Sequence, residues 1–257
     1  MKRIDAHVHG EPPQSAREGR EFVERYRSLG IDKVVLIEDP HTVLKAMGVC
    51  GDFIIPVFRV KPDIVTPNEI ETYFKMGCKG IKFIRPGSAY SDQKYMPLYR
   101  KIAELDGVAV FHTGYLAHRN YKNPEPLNIL DMAPAHLDAI ARQVPTLRML
   151  MSHYGNPWWE EAWKVSYSHD NIYADLSGGT AYIRSMFLWK ELLAPNGKLF
   201  LPAVEKLCFA SDIHYFRSEL MIEPYFDFYD TLLSEIGVSE ELAERINYFN
   251  ISELFKL

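Results

Sequence analysis

The sequence predicts an α/β protein in which eight parallel strands close into a barrel. Short apolar runs rich in β-branched residues alternate along the chain with longer segments of helical periodicity, which is typical of successive βα units. The chain has 257 residues, a length at which α/β barrels commonly form one domain, and we expect residues 1–257 to do so. The predicted strands are Arg3–His7, Lys33–Ile37, Phe53–Phe58, Gly80–Ile84, Val108–His112, Arg148–Ser152, Ile172–Leu176 and Lys206–Ala210.

Helical segments separate these strands. Residues 17–29, for example, repeat apolar side chains at the spacing of one helix face. Thr66 and Glu69 have the spacing of a capping box, and Pro67 occupies the first helical position, so a helix is predicted to begin there. The longer segments after the fifth and seventh strands contain prolines and glycines, and we expect them to form walls of a functional site.

Composition and charge narrow the class of protein. Hydrophobic residues make up 47% and charged residues 25% of the chain, as in soluble globular proteins. A net charge of -5 gives no basic field for nucleic acid, and no apolar run approaches the ~20 residues that span a bilayer. The few, widely spaced cysteines favour a reducing compartment. We expect a cytoplasmic protein with a small-molecule substrate and no nucleic-acid or membrane partner; the sequence leaves open whether it forms a homo-oligomer.

The most informative pattern lies near the amino terminus, where Asp5, His7 and His9 occupy alternate positions of the first predicted strand. Alternation places the three side chains on one face of a strand. Two histidines at this spacing can direct their ring nitrogens at one divalent ion, and imidazole is a ligand that zinc favours. The pattern alone is weak support for a metal site, because such pairs also occur by chance.

Further polar residues lie at the ends of other predicted strands. His112 ends the fifth strand, His153 follows the sixth and Asp212 follows the eighth. In an eight-stranded barrel the carboxyl ends of the strands form the catalytic face, so these residues are expected to meet His7 and His9 there. Any one of them alone is more simply a hydrogen-bonded rim residue, but five at equivalent positions predict a site.

Several stretches of the chain together carry a resemblance to a known family. They are Ile4-Asp5-Ala6-His7-Val8-His9, Gly80-Ile81-Lys82-Phe83, His112-Thr113-Gly114, Ser152-His153-Tyr154-Gly155-Asn156-Pro157-Trp158, Tyr173-Ala174-Asp175-Leu176-Ser177-Gly178, Phe209-Ala210-Ser211-Asp212 and Asn250-Ile251-Ser252-Glu253-Leu254-Phe255. In this order they resemble the amidohydrolase superfamily, within it the amidohydrolase-related (type 2) group that includes aminocarboxymuconate semialdehyde decarboxylase and pyrone dicarboxylate lactonase. The resemblance extends nearly from end to end.

The resemblance implies a distorted (β/α)8 TIM barrel with one catalytic divalent metal ion, usually zinc, on His7, His9, His112 and Asp212. Such an ion lowers the pKa of a bound water from about 15.7 to about 7. The resemblance also implies that His153 and Asp212 move protons. His153 would be the general acid/base, a task that suits the ordinary histidine pKa of about 6.5.

Basic residues near the same end allow two interpretations. Lys82, in the fourth strand, is expected to bind a substrate carboxylate, whereas in binuclear relatives a lysine at this position is carboxylated and bridges two metals. Arg59 and Arg85 either bind the substrate carboxylate in two-point geometry or form rim ion pairs with Glu38 and Asp39. The sequence favours neither interpretation of the two arginines.

Two reactions suit such a site. We expect a metal-dependent hydrolase of a small, carboxylate-bearing ester, lactone or amide. The alternative is zinc-dependent nonoxidative decarboxylation, and a catalytically inactive metal-binding barrel is a third interpretation. Tyr115, His118, Tyr121 and His214 lie in adjoining segments and could line a pocket, but the sequence assigns them no role.

Overall fold

Helices alternate with strands through most of the chain. A computed structural model of the protein describes residues 1–116, 127–178, 182–215 and 222–257. The strands are β1 (Arg3–His9), β2 (Ile31–Glu38), β3 (Ile54–Val60), β4 (Gly80–Phe83), β5 (Val108–His112), β6 (Arg148–Ser152), β7 (Ile172–Asp175), β8 (Leu207–Cys208) and β9 (Ile213–His214). The helices are α1 (Ala16–Ser28), α2 (Pro40–Cys50), α3 (Pro67–Lys75), α4 (Met96–Glu104), α5 (Ala135–Gln143), α6 (Trp159–Ser168), α7 (Met186–Leu193), α8 (Leu201–Val204), α9 (Glu223–Glu235), α10 (Glu240–Glu244) and α11 (Asn250–Phe255). Within these ranges, none of the helices has the length and apolar character needed to cross a membrane.

The strands form one parallel sheet in the order β8-β7-β6-β5-β4-β3-β2-β1-β9. The two outer strands, β8 and β9, are consecutive in the chain, so one short run pairs with β7 on one side and with β1 on the other. Between them, the amide of Ala6 donates to the carbonyl of Phe209 at 2.9 Å and the amide of Asp212 donates to the carbonyl of His7 at 2.7 Å. The sheet therefore curls into a ring, and the predicted distorted (β/α)8 barrel is confirmed.

Two predicted boundaries differ in what determines them: local sequence sets the start of α3, and tertiary contacts set the end of β8. The capping box is present as predicted: the Thr66 hydroxyl accepts from the amide of Glu69, and α3 begins at Pro67. The eighth strand, Leu207–Cys208, is shorter than predicted, because the amide of Phe209 donates to the carbonyl of Ile246 at 3.0 Å. A backbone contact with a residue outside the sheet thus limits β8.

Apolar side chains fill two layers. One cluster lies inside the barrel and takes alternate residues from most strands, for example Val35 and Ile37 from β2 and Val108 and Val110 from β5, together with residues of α11. The other cluster lies between the strands and the surrounding helices. Because alternate side chains of a strand point to opposite faces, each barrel strand contributes to both layers.

An irregularity in β1 changes which residues face the interior. Ile4 and Ala6 belong to the interior cluster, whereas Val8 belongs to the outer one, and the register between β1 and β2 shifts between Asp5 and Val8. A bulge of this kind places successive side chains on the same face. The prediction that Asp5 shares a face with His7 and His9 is therefore wrong, because regular alternation does not continue through the bulge.

Candidate active site

The carboxyl ends of the strands surround a cavity of about 910 Å³. All eight residues that the sequence predicts for the site border it: His7, His9, Arg59, Lys82, Arg85, His112, His153 and Asp212. Six strands or their following turns bring these residues together from distant parts of the chain. Glu38, Lys61 and His214 border the same cavity.

At the junction of β1 and β9, two imidazoles meet one carboxylate. Asp212 Oδ1 lies 3.4 Å from His7 Nε2 and 3.2 Å from His9 Nε2. The left-handed turn at Asp212 and the hydrogen bond from its amide to the His7 carbonyl hold the carboxylate against the end of β1. Two nitrogens and one oxygen on three residues form the type of donor set that a zinc-like ion takes.

The tautomer of His9 shows that a positive charge belongs between these groups. His9 Nδ1 lies 2.7 Å from the carbonyl oxygen of Ile37, which can only accept, so Nδ1 carries a hydrogen. In a neutral ring, Nε2 then has no hydrogen, and its lone pair is directed at Asp212 Oδ1. This contact requires either a second proton or a cation. Burial lowers the pKa of His9, but hydrogen bonds to Asp212 and Glu38 outweigh it and raise the pKa to about 9.

The environment of His112 also suits a metal ligand. The residue ends β5, and its Nε2 is buried without a hydrogen-bond partner. Buried polar atoms are normally paired, so such a nitrogen suggests that something else completes it. Burial, together with the charges of His153 and Lys82, lowers the pKa of His112 well below its usual range, which keeps the ring in the neutral form that binds a metal.

His153 lies 4.7 Å from His112 and 4.8 Å from His7 between ring centres. Its Nδ1 contacts the hydroxyl of Ser177 at 3.0 Å and the carbonyl of Ser177 at 3.3 Å. Gly178 allows this approach, because it has φ +93 and a Cβ there would lie 2.9 Å from His153 Nδ1. Burial lowers the pKa of His153 to about 4, although Asp212 opposes the shift. This pKa is lower than the ordinary value expected from the sequence, and the ring is neutral at pH 7.

Lys82 lies deep in the cavity, and only 1% of it is exposed. Its Nζ donates to the hydroxyl of Ser152 at 2.7 Å. Burial lowers the pKa of Lys82 to about 7, and the charges of Asp175 and Asp212 offset part of that effect. The side chain thus brings an ammonium group, or a free amine at higher pH, close to the acidic groups of the site.

Arg59 and Asp39 differ from each other at the rim of the cavity. Arg59 pairs with Glu38 at 2.8 Å, as one of the two interpretations predicted. Asp39 does not join this pair but caps α2, where it accepts from the amides of His41 and Thr42. Arg59 is nevertheless 40% exposed on the cavity wall, so the ion pair leaves part of its guanidinium accessible.

Asp5 forms a separate cluster behind the site. Its carboxylate accepts from the hydroxyls of Ser211 at 2.6 Å and Tyr215 at 2.7 Å, and Tyr215 stacks on Tyr26 of α1. Burial raises the pKa of Asp5 to about 7, although the hydrogen bonds from Ser211 and Tyr215 oppose it. Asp5 therefore fastens β1 to the segment before Asp212.

Sequence reasoning missed Asp175 and Ser177. Asp175 ends β7 and is fully buried, and its Oδ2 lies 3.6 Å from His7 Nδ1. The available signal was its position, since a carboxylate ending a barrel strand belongs to the catalytic face. Among the weaker candidates, His214 lies 5.8 Å from His9 between ring centres and Tyr115 packs on Trp158. His118 and Tyr121 fall outside the described residues.

A closed α/β barrel with imidazoles and carboxylates gathered at the carboxyl ends of its strands defines a class of enzymes that work at that face. The chain belongs to the amidohydrolase family, because the family model described as Amidohydrolase matches residues 43–257. This confirms the predicted family and that the protein is an enzyme. No curated protein sequence matches the chain.

Solved structures are similar over the whole chain at low identity. A probable 2-pyrone-4,6-dicarboxylic acid hydrolase from Acinetobacter baumannii, with citric acid bound, has 14% identity, a TM-score of 0.66 and 100% coverage of both chains. An uncharacterized TIM-barrel protein from Bordetella bronchiseptica has 16% identity, a TM-score of 0.68 and coverage of 100% and 99%. A dihydroxybenzoic acid decarboxylase from Polaromonas, with manganese and the inhibitor 2-nitroresorcinol, has 14% identity, a TM-score of 0.63 and coverage of 100% and 97%. At these identities the similarity shows the fold.

Proposed function

We propose that this protein, a single barrel domain of residues 1–257, hydrolyses an ester, lactone or amide bond in a small, carboxylate-bearing molecule. The proposal includes one divalent metal ion, held by His7, His9, His112 and Asp212. The observation that carries it is the contact of two imidazole Nε2 atoms with Asp212 Oδ1 on the wall of the cavity. With a hydrogen fixed on His9 Nδ1, a cation is the partner that these atoms share best.

Zinc is the ion we propose, because three imidazoles and one carboxylate match its preferred donors. Manganese, which the Polaromonas decarboxylase binds, is the competing ion. When bound, a divalent ion supplies Lewis acidity toward a substrate carbonyl and lowers the pKa of water in the site.

His153 supplies the proton transfers. Its Nδ1 is engaged with Ser177, so Nε2 is the nitrogen available to take a proton from water and return it to the leaving group. The low pKa of His153 means that the ring begins the cycle as a base. Burial raises the pKa of Asp212, but His7 and His153 hold that pKa well below its usual range, so the carboxylate stays ionised. It assists in moving the proton because its charge stabilises the protonated ring of His153.

Cationic side chains supply the recognition of a carboxylate. Lys82 lies at the depth of the site, whereas Arg59 and Arg85 border the cavity nearer its mouth. Guanidinium groups match a carboxylate with two parallel hydrogen bonds. We propose that the arginines anchor the substrate and that Lys82 contacts the end of the molecule nearest His153.

The depth of Lys82 also favours a second function, nonoxidative decarboxylation. A carboxylate bound by this buried ammonium would lie beside the proton-transfer group His153 rather than at the mouth, which is the position of a leaving group. In that reaction His153 Nε2 would first take up a proton from water and then donate it to the carbon, whose bond to the carboxylate breaks with release of carbon dioxide.

Isotopic labelling of the solvent distinguishes hydrolysis from decarboxylation. Zinc-loaded and manganese-loaded protein would be screened against lactones, esters and amides of small carboxylic acids and against aromatic carboxylates, in water containing oxygen-18 and in heavy water. Hydrolysis predicts oxygen-18 in the product carboxyl group without release of carbon dioxide. Decarboxylation predicts carbon dioxide and one deuterium on carbon. Absence of metal binding by the unaltered protein would contradict both functions.

A further inference from the structure

We propose that Asp175 is a positioning residue that fixes which ring nitrogen carries the hydrogen in two histidines, His7 and His153. One oxygen of the carboxylate acts on His153 through Ser177, and the other acts directly on His7. The inference rests on the proposed function insofar as it takes His7 as a metal ligand and His153 as the acid/base.

Asp175 Oδ1 organises the turn that carries His153. It accepts from the amide of His153 at 2.8 Å, from the amide of Ser177 at 3.0 Å and from the hydroxyl of Ser177 at 2.5 Å. His153 has φ 66, a left-handed conformation that is uncommon for a residue with a side chain. The bond to its amide helps to hold the residue in that conformation.

The same bonds determine the tautomer of His153. A serine hydroxyl has one hydrogen, and Ser177 gives it to Asp175. Toward His153 Nδ1 the hydroxyl can therefore only accept, and so can the carbonyl of Ser177. Nδ1 of the neutral ring must then carry the hydrogen, which leaves Nε2 as the basic nitrogen.

Asp175 Oδ2 faces His7 instead of His153. It is buried without a hydrogen-bond partner, as is His7 Nδ1, and the two atoms lie 3.6 Å apart. A shortening of about 0.5 Å would give a normal hydrogen bond. An Nδ1–H directed at Asp175 leaves the lone pair of His7 on Nε2, the nitrogen that faces Asp212. Carboxylates placed behind metal-binding histidines act in this way and strengthen the ligand.

A purely structural role would not need both oxygens. Oδ1 alone accounts for the turn after β7, and a residue with one acceptor would serve that purpose. The second oxygen is itself buried without a hydrogen-bond partner, and an unpaired carboxylate oxygen is costly there. Its position opposite His7 Nδ1 is accounted for if the carboxylate orients that ring.

The variant Asp175→Asn tests the His7 arm. With its amide oxygen in place of Oδ1, asparagine keeps the turn but directs an NH₂ group at His7 Nδ1. The hydrogen of His7 is then driven to Nε2, where it opposes metal binding. We expect zinc affinity, measured by competition with a chromophoric chelator, to fall about 10- to 100-fold. In the zinc-loaded unaltered protein, nitrogen-15 NMR should show a slowly exchanging Nδ1–H on His7.

Ser177→Ala is the matched variant for the other arm. It removes the hydroxyl that accepts from His153 but leaves the contact between Asp175 and His7. Only the longer contact of His153 Nδ1 with the Ser177 carbonyl, at 3.3 Å, then remains to hold the hydrogen. We expect zinc affinity to change less than twofold, while NMR reports a larger fraction of the Nε2–H tautomer of His153 than in the unaltered protein and the pH dependence of kcat shifts. The two variants thus separate metal affinity from proton transfer.

Two results would overturn the inference. One is a hydrogen on Nε2 of His153 in the unaltered protein, which NMR detects even if neither variant folds. The other is a folded Asp175→Asn protein, as judged by circular dichroism, that binds zinc normally. Failure of the unaltered protein to bind zinc or manganese would instead contradict the proposed function, and the tautomer of His153 would still decide the present inference.

Discussion

The amino-terminal end of the barrel is closed by apolar packing, whereas the carboxyl-terminal end is lined by imidazoles, carboxylates and a buried lysine. At the first end, Ile251, Leu254 and Phe255 of α11 pack into the interior cluster. At the second, His7 Nδ1, His112 Nε2 and Asp175 Oδ2 are buried without hydrogen-bond partners. Unpaired buried polar groups lower the free energy of unfolding. The apolar end therefore stabilises the fold, whereas the polar end destabilises it.

This difference explains how a site so unfavourable by itself can persist. Strained or unsatisfied groups remain in place only when the surrounding structure determines their positions. Here the parallel strands run from the apolar end to the polar end and fix where each polar side chain emerges. Substitutions at the apolar end should therefore change mainly the free energy of unfolding, and those at the polar end mainly the rate of catalysis.

The largest effect is expected for His153→Ala at the polar end. Because this residue supplies the proton transfer in the proposed reaction, kcat should fall about 10²- to 10⁴-fold. Metal content, measured by mass spectrometry of the purified protein, should remain near one ion per chain. Loss of the ion from this variant would show that His153 is itself a ligand, as in a binuclear arrangement with carboxylated Lys82.

Leu254→Ala tests the apolar end. The side chain is 1% exposed within the interior cluster, so its truncation should lower the free energy of unfolding by about 2–5 kcal/mol, measured by urea denaturation. At a temperature where the variant is folded, its kcat should match that of the unaltered protein. A fall in kcat comparable to that of His153→Ala would show that the two ends are not independent.

The same comparison shows what could be predicted from the sequence. Strand ends follow from apolar periodicity, and the carboxyl ends of barrel strands share one face, so the positions of His112, His153 and Asp212 could be anticipated. The face of Asp5 could not, because it depends on a bulge that arises from pairing with β2. Periodicity describes one strand at a time and carries no information on such a shift in register.

Asp175 was missed for a different reason. A single aspartate after an apolar run is common, and nothing in its neighbours indicates two histidines as partners. Those partners come from the ends of β1 and β6, and only barrel closure brings them to β7. The pKa of His153 was misjudged for the same reason, since its burial depends on residues distant in sequence.

A smaller effect at the polar end is expected for Gly178→Ala. A Cβ here would lie 2.9 Å from His153 Nδ1 and 3.6 Å from Asp212 Oδ2, so the acid/base must shift and we expect kcat to fall about tenfold, about 1.4 kcal/mol in barrier height. Gly237→Ala is the control, because Gly237 also has positive φ, +74, but no atom within 4 Å of an added Cβ. Both variants should lose about 1–2 kcal/mol of unfolding free energy. An equal fall in kcat in the control would attribute the effect to backbone strain alone.

The smallest predicted effect concerns the mouth of the cavity and decides between the two interpretations of Arg59. If Arg59 binds substrate while it is paired with Glu38, then Arg59→Gln should raise KM about fivefold, about 1 kcal/mol, with kcat nearly unchanged. The effect is modest because the side chain is 40% exposed and its guanidinium is shared with Glu38. Glu38→Gln separates the interpretations further: it releases Arg59 for the substrate and should not raise KM if Arg59 is the anchor. A KM that is unchanged in Arg59→Gln would leave Arg59 as a rim ion-pair partner and assign the carboxylate to Lys82 and Arg85.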